Sequence, residues 1–452
     1  MAISGLKRVL GLPEVSFIAV GMTIGGGIFV FTGIVLKIVG PALPVAYALA
    51  VVPVFLSMLP LAMLGSAIPV TGGTYMYPSR MVSPRLAFVG IWVYALATFF
   101  GQIPLYSIAC ARYVQVLVPD MPEVLFAAAL ITFFCIINVL GVKLAAQLQA
   151  VMVLVLIAAL IFFSVNGLNP INTEHFENIF QKGTGNLFLG VALLTFTYLG
   201  SNGIIELGEE IKDPGRVIPR SYFIAFPVVT LLYLGVALAS VNALPWQGLV
   251  DVQEPLIAVG RSTLSKAGLY FFVLAGAVLA LTTTLNALFI MATKSLMMIT
   301  KDGLLPERLG TVNRRFGTAH ILFLAIWIIS MIGVVSGLSL ETFASYSAMG
   351  GIIIFIPVLI ASLSLPSRFP QQYRDAAFKL KGFWRFLCPV VGMAMALFFC
   401  LVILADLKSP VKIVMFVLFI LSGVAYYEAR KRFLLKQGFD IEKAIKNDEW
   451  MK

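Results

Sequence analysis

Two short runs of this sequence place glycine where a long apolar helix is otherwise expected. The first is Gly21-Met22-Thr23-Ile24-Gly25-Gly26-Gly27, and the second is Thr197-Tyr198-Leu199-Gly200-Ser201-Asn202-Gly203. Each mid-helix glycine costs roughly 1 kcal/mol relative to alanine, so three in a row at 25–27 favour an unwound turn. An unwound turn frees backbone groups. Its N–H groups, and the positive end of the half-helix that follows, attract an anion. Its carbonyls attract a cation. A carboxylate suits the amides of Gly25, Gly26 and Gly27. An ammonium suits carbonyls of Met22 and Thr23, and those from Phe196 to Tyr198. The two poles are then spaced like the charges of an α-amino acid zwitterion, and glycine allows the ligand to come close. Packing of small residues between helices is the alternative reading of either run alone.

Other reactive residues are sparse. Glu206 follows the second run, and an ionisable group at membrane depth is a functional candidate. Glu209 and Glu210 lie further on and are expected at the interface, paired with basic loops. Thr282-Thr283-Thr284 and Asn286 offer oxygens that, with first-span carbonyls, could hold Na⁺. Mid-helix threonines also commonly bond their own i−4 carbonyls. Cys110, Cys135, Cys388 and Cys400 stand singly in apolar sequence and read as small hydrophobes. His175 and His320 are isolated, so no histidine metal site is expected, and no cofactor is implied.

The elements that must position these residues are set by composition. Of 452 residues 60% are hydrophobic and 12% charged, and the mean hydropathy is +0.98. Soluble domains carry about 25% charge, so the solvent here is lipid. Stretches able to cross a bilayer lie near 14–38, 41–66, 86–117, 123–141, 144–166, 185–210, 219–243, 267–300, 319–337, 342–364, 384–405 and 409–430. The third and eighth exceed the needed length and are expected to tilt or run into loops. Basic residues follow the second, sixth, eighth and tenth stretches (Arg80 and Arg85; Lys212, Arg216 and Arg220; Lys301, Arg308, Arg314 and Arg315; Arg368 to Arg385). They also flank the first (Lys7, Arg8) and fill the tail (Arg430 to Lys436). The opposite loops hold Glu174, Glu177, Asp251, Glu254 and Glu341. By the positive-inside rule both termini are cytoplasmic, at residues 1–13 and 431–452. The charge of +11 therefore reports membrane topology, not a nucleic-acid partner. No cleaved signal peptide is expected, because the first stretch outruns a signal core.

Both glycine runs fall at the same place in successive five-helix halves. Interrupted helices at matching positions point to a midplane site between inverted repeats.

Four motifs carry a family resemblance: Gly21 to Phe29, Pro69 to Tyr75, Glu209 to Pro219, and Lys301 to Pro306. In this order and spacing they resemble the amino acid–polyamine–organocation superfamily, over nearly the whole chain. The resemblance implies an all-α membrane fold of twelve transmembrane helices. Two leucine-transporter-like inverted repeats, 14–166 and 185–364, would be followed by two extra helices at 384–430. It implies that amides of Gly25, Gly26 and Gly27 hold a substrate carboxylate, with Met22, Thr23, Ile24, Thr197, Tyr198, Gly200 and Asn202 around it. Phe196 takes the place of an aromatic gate. The sixth span looks closest to the large neutral amino acid transporter branch. Acid-resistance antiporters carry glutamate where Asn202 stands. Many relatives place a lysine midway along the fifth span. Aligning Val142-Lys143 with the start of that span puts Leu156 there, so lysine-mediated proton coupling is unsupported. Sodium-coupled relatives imply Gly21, Ile24, Thr283 and Thr284 as an ion site. Sodium coupling and uncoupled exchange both stay open.

The expected activity is thus a permease for an α-amino acid with a neutral side chain, in the plasma or inner membrane, with no obligate protein partner. A polyamine or amine carrier is the alternative, though it should offer more acids than Glu206. An intramembrane enzyme would need a nucleophile–base pair or metal cluster, and a receptor would need a signalling domain. Neither is visible.

Overall fold

The fold follows from apolar stretches that bury their backbone polarity in helices, the only open-chain solution in lipid. In the computed structural model, residues 8, 10–140, 145–311, 313, 318–407 and 409–446 are described. Among them there is no strand, only the isolated bridges Leu10 to Ile211 and Thr71 to Leu207. Eight helical runs are long and apolar enough to cross a membrane. The longest, Leu12–Ala67, holds the first two expected spans. Three shorter apolar helices, Glu123–Val139, Val153–Gly167 and His320–Val335, fall on the fourth, fifth and ninth. Lys7, Lys143, Arg314 and Arg315, used above for topology and alignment, lie outside the described residues.

The first span is two half-helices, Leu12–Ile24 and Gly27–Val39, joined at Gly25 and Gly26. Gly25 has φ +25°, a backbone that residues with a Cβ rarely adopt. The sixth span is an α-helix over Gly183–Thr195 that tightens into a 3₁₀ segment over Phe196–Glu206. Three further irregularities were not expected. The tenth span changes helix between Leu340–Ile353 and Phe355–Arg368. The third and eighth are continuous helical runs with π-helical segments at Ala97–Gln102 and Phe272–Val278.

Short helices join the spans where loops were expected. Gly73–Met81 follows the second span and Pro255–Thr263 follows the seventh. At the tail end of the bundle, buried Arg80 pairs with partly buried Asp302, with Nη1 and Nη2 at 2.7 and 2.8 Å. The Tyr75 hydroxyl donates to the same carboxylate at 2.6 Å. Arg368 donates to the Arg80 carbonyl and Arg430 to the Gly303 carbonyl. The C-terminal helix Ile441–Lys446 folds back with Ile441 and Ile445 buried, and Lys431 pairs with Glu442 at 2.7 Å. All four cysteines are free and buried. No group of three or more His, Cys, Asp or Glu side chains is placed to hold a metal among the described residues.

Candidate functional site

The two breaks touch. A Cβ built on Gly200 would lie 2.1 Å from the Met22 carbonyl oxygen and 2.9 Å from the Thr23 Cα. Only a residue with no side chain lets the sixth-span backbone sit this close to the first. Gly26 is similarly enclosed, with Leu281 and Tyr106 at 2.7 and 3.2 Å from its absent Cβ.

Around this crossing lies a cavity of about 100 Å³. At some 10–15 Å³ per water-sized group, it has room for several such groups, the scale of a small solute. The first span contributes Gly21, Met22, Thr23, Gly25, Gly26 and Gly27. The sixth contributes Phe196, Thr197, Leu199, Gly200 and Asn202. The eighth contributes Thr283, Thr284, Ala287 and Leu288. Ile24 and Tyr198, expected in the site, do not line the cavity. Both are fully buried in packing, and the Tyr198 hydroxyl donates to the Tyr47 carbonyl at 3.3 Å.

Sequence reasoning missed three contributors. The third span supplies Tyr94, Gln102 and Tyr106, and the tenth supplies Gly351, Ile354 and Phe355. Both groups sit at helix irregularities, a π segment and a helix change, which hydropathy does not register. The third contributor is Tyr233 of the seventh span, Pro214–Ala243. Its hydroxyl lies 2.7 Å from the Thr23 carbonyl, 3.1 Å from that of Thr197 and 3.4 Å from that of Ile24. One phenol thus ties together the carbonyls at both breaks. A lone tyrosine in an apolar span gives no signal of this role.

The eighth span holds the break from the other side. The Gly26 N–H donates to Thr284 Oγ1 at 2.7 Å, and that hydroxyl donates to the Ala280 carbonyl at 2.7 Å. Thr284 therefore caps the second half-helix, as an N-cap oxygen would. Thr283 donates to Leu279, and Thr282 donates to Val278. Gly25 donates to the Gly21 carbonyl at 3.3 Å. Further down, Asn286 accepts from Asn138 at 2.8 Å.

Phe196 faces the cavity with its ring 5.2 Å from that of Phe31. A Cβ on Gly351 would meet the Phe196 ring at 2.7 Å, so the tenth-span glycine makes room for this aromatic. Leu156 is buried in the core of the fifth span. Glu206 is buried beyond the cavity and accepts from the Thr74 N–H at 3.0 Å and from the Thr74 hydroxyl. Glu209 and Glu210 lie in the following turn, without an ion pair among the described residues.

A family model for amino acid permeases matches residues 10–427. The branched-chain amino acid permease BcaP of Bacillus subtilis is 26% identical over 93% of this chain and 92% of that protein. The methylthioribose transporter of the same organism is 27% identical over 81% of this chain and 83% of its own. The vacuolar cationic amino acid transporter 4 of Arabidopsis thaliana is 26% identical over 69% of this chain and 55% of that protein.

Proposed function

Since the chain belongs to the amino acid permease family, we propose that it is a secondary transporter for an α-amino acid with a neutral side chain. It works by alternating access around the cavity where the first and sixth spans cross. The observation that carries this reading is the Gly200–Met22 contact. It brings the N-terminal end of one half-helix and the C-terminal end of another to one small cavity, the arrangement a zwitterion requires.

The poles are assigned as follows. The first amides of the half-helix Gly27–Val39 have no partner within their own helix, and Gly27 lines the cavity. They take the substrate carboxylate, at the edge of the Gly26–Thr284 cap. The Thr23 and Thr197 carbonyls are engaged by Tyr233. The Met22 carbonyl beside Gly200 is then the oxygen best placed for the ammonium. The side chain points toward Gln102, Leu288, Ile354 and Phe355, a mostly apolar compartment that favours a neutral substrate. Phe196 closes over it.

The same picture accommodates the twelve helices as two inverted repeats, 14–166 and 185–364, with two added helices. Paired features support it: breaks in the first and sixth spans, π segments in the third and eighth, and joining helices after the second and seventh. Both termini then lie in the cytoplasm, in the plasma or inner membrane.

The sodium reading of Gly21, Ile24, Thr283 and Thr284 draws less support from this geometry. All four of its oxygens already have partners: the Thr284 hydroxyl caps Gly26, the Thr283 hydroxyl bonds its own helix, the Gly21 carbonyl accepts from Gly25, and the Ile24 carbonyl accepts from Tyr233. A hard cation needs about six oxygens.

Ligand-induced thermal stabilisation over a panel of amino acids and amines, in Na⁺ and in choline, tests the reading. A ligand at 100 times its Kd should add about 2.7 kcal/mol of stability. Stabilisation by neutral amino acids, equal in both salts, is expected. Stabilisation by diamines alone would overturn the assignment.

A further inference from the structure

Resting on the transporter reading above, we infer that Leu199 and Phe355 form a yielding wall of the substrate cavity, backed by a void that makes room for branched aliphatic side chains. Both residues are buried. On one side they line the substrate cavity. On the other they line a separate void of about 20 Å³. Its far side is Val54 and Ser57 of the second span, Leu43–Ala67, with Met395, Ala396 and Phe399 of the eleventh, Trp384–Asp406. None of these five residues lines the substrate cavity. The wall is therefore one layer of side chains thick.

Chemistry selects what the void accepts. Two hydroxyls line it, and both are committed to their own helices. Ser57 donates to the Pro53 carbonyl at 2.7 Å, and Thr195 donates to that of Val191 at 2.8 Å. No ionisable side chain lines it among the described residues. A buried water wants about two to four polar partners, so such a space favours hydrocarbon. It has room for roughly one water-sized group. That is the scale of one methyl branch, and a charged substrate arm gains nothing there.

Position lets the wall yield. Phe355 opens the half-helix Phe355–Arg368, beside the helix change at Ile354. Pro357 has no N–H to offer the Ile353 carbonyl, so this turn lacks one bond of the helical ladder. Leu199 lies in the 3₁₀ segment Phe196–Glu206, where hydrogen-bond geometry is poorer than in an α-helix. Behind them stands Met395, half-buried, an unbranched side chain that adapts to irregular space. A fully packed wall resists each added methyl, because overpacking forces side chains off their rotamers. A wall with a void behind it retreats instead. Leucine and isoleucine then fit where alanine leaves the wall at rest.

The test measures counterflow of labelled leucine and of labelled alanine by the full-length protein in liposomes. Wild type should exchange both. Ala396→Val fills the void from the eleventh span, outside the substrate cavity. It should lower the leucine-to-alanine rate ratio by about tenfold or more, the effect of one methylene in a tight apolar pocket. Met395→Ala enlarges the void and should raise the ratio. A ratio left unchanged by either variant would overturn the inference. So would a wild type that exchanges only one of the two amino acids. If Ala396→Val exchanges neither, Met395→Ala decides alone. Loss of alanine exchange in both variants would show that the void is no reserve apart from the site, and would also overturn the inference. If wild type shows no counterflow of any amino acid, the transporter reading fails first and takes this inference with it.

Discussion

At the scale of single residues, Tyr233, Gly200 and Thr284 hold the crossing together. Tyr233→Phe removes one donor shared by three carbonyls. Leaving buried carbonyls unsatisfied costs about 1–3 kcal/mol. Thermal melting in detergent should fall accordingly, and transport should fall with it. An unchanged melt would show that the phenol is dispensable. Gly200→Ala should be worse, because its Cβ would meet backbone, which cannot rotate away. We expect little folded protein. Thr284→Ala should lower substrate affinity by loosening the Gly26 cap, while Thr284→Ser restores it and the response to Na⁺ stays flat. A Na⁺ response that changes in Thr284→Ala would return this residue to an ion site. The glycine breaks were readable in sequence, because glycine inside an apolar helix conflicts with propensity, whereas Phe196 was placed there only through the family resemblance. Tyr233 was not, because its role depends on where one hydroxyl lands after seven spans have packed. Ile24 and Tyr198 were expected in the site for sharing a motif with lining residues. The helical turn sends them the other way, into the core.

At the scale of elements, closure at the tail end depends on the helix Gly73–Met81 held to the end of the eighth span. The Arg80–Asp302 pair is largely buried, with side chains 8% and 13% exposed. Removing one partner strands a buried charge, at a cost of roughly 3–5 kcal/mol. Arg80→Met and Asp302→Asn should each destabilise the protein and raise reactivity of a cysteine engineered at Thr74. The double variant should cost less than the sum of the two. Strict additivity would show that the pair is not coupled. Hydropathy found the long helices because lipid enforces one solution for them. It missed the π segments, the tenth-span helix change and the joining helices. Those depend on local backbone bonding and on tertiary contact rather than on mean apolarity.

At the scale of the whole molecule, charge is sorted to the two ends. At the end opposite the tail, Glu254 faces Arg112 at 3.7 Å, and Arg112 also pairs with Glu123 at 3.0 Å. Burial pushes the Glu254 carboxyl up to about 7, against the lowering influence of Arg112 and Lys37. A raised carboxyl pKa means that the folded state holds the proton more tightly than the unfolded chain. Stability from this group is therefore greatest below the ordinary carboxylate range and declines as pH rises toward 7. The melting temperature of wild type should fall by a few degrees between pH 5 and 7.5 relative to Glu254→Gln. Parallel profiles would place Glu254 in a more solvated setting.

The central claim is that substrate binds where the first and sixth spans cross and is carried across the membrane. Counterflow measures it most directly: liposomes loaded with an unlabelled neutral amino acid are diluted into a trace of the same labelled compound. Wild type should show a transient overshoot of label. Gly26→Val, whose side chain would press on Leu281 and Tyr106, should show none while remaining folded by gel filtration. Overshoot of normal height in Gly26→Val, or overshoot with putrescine but with no amino acid, would contradict the account.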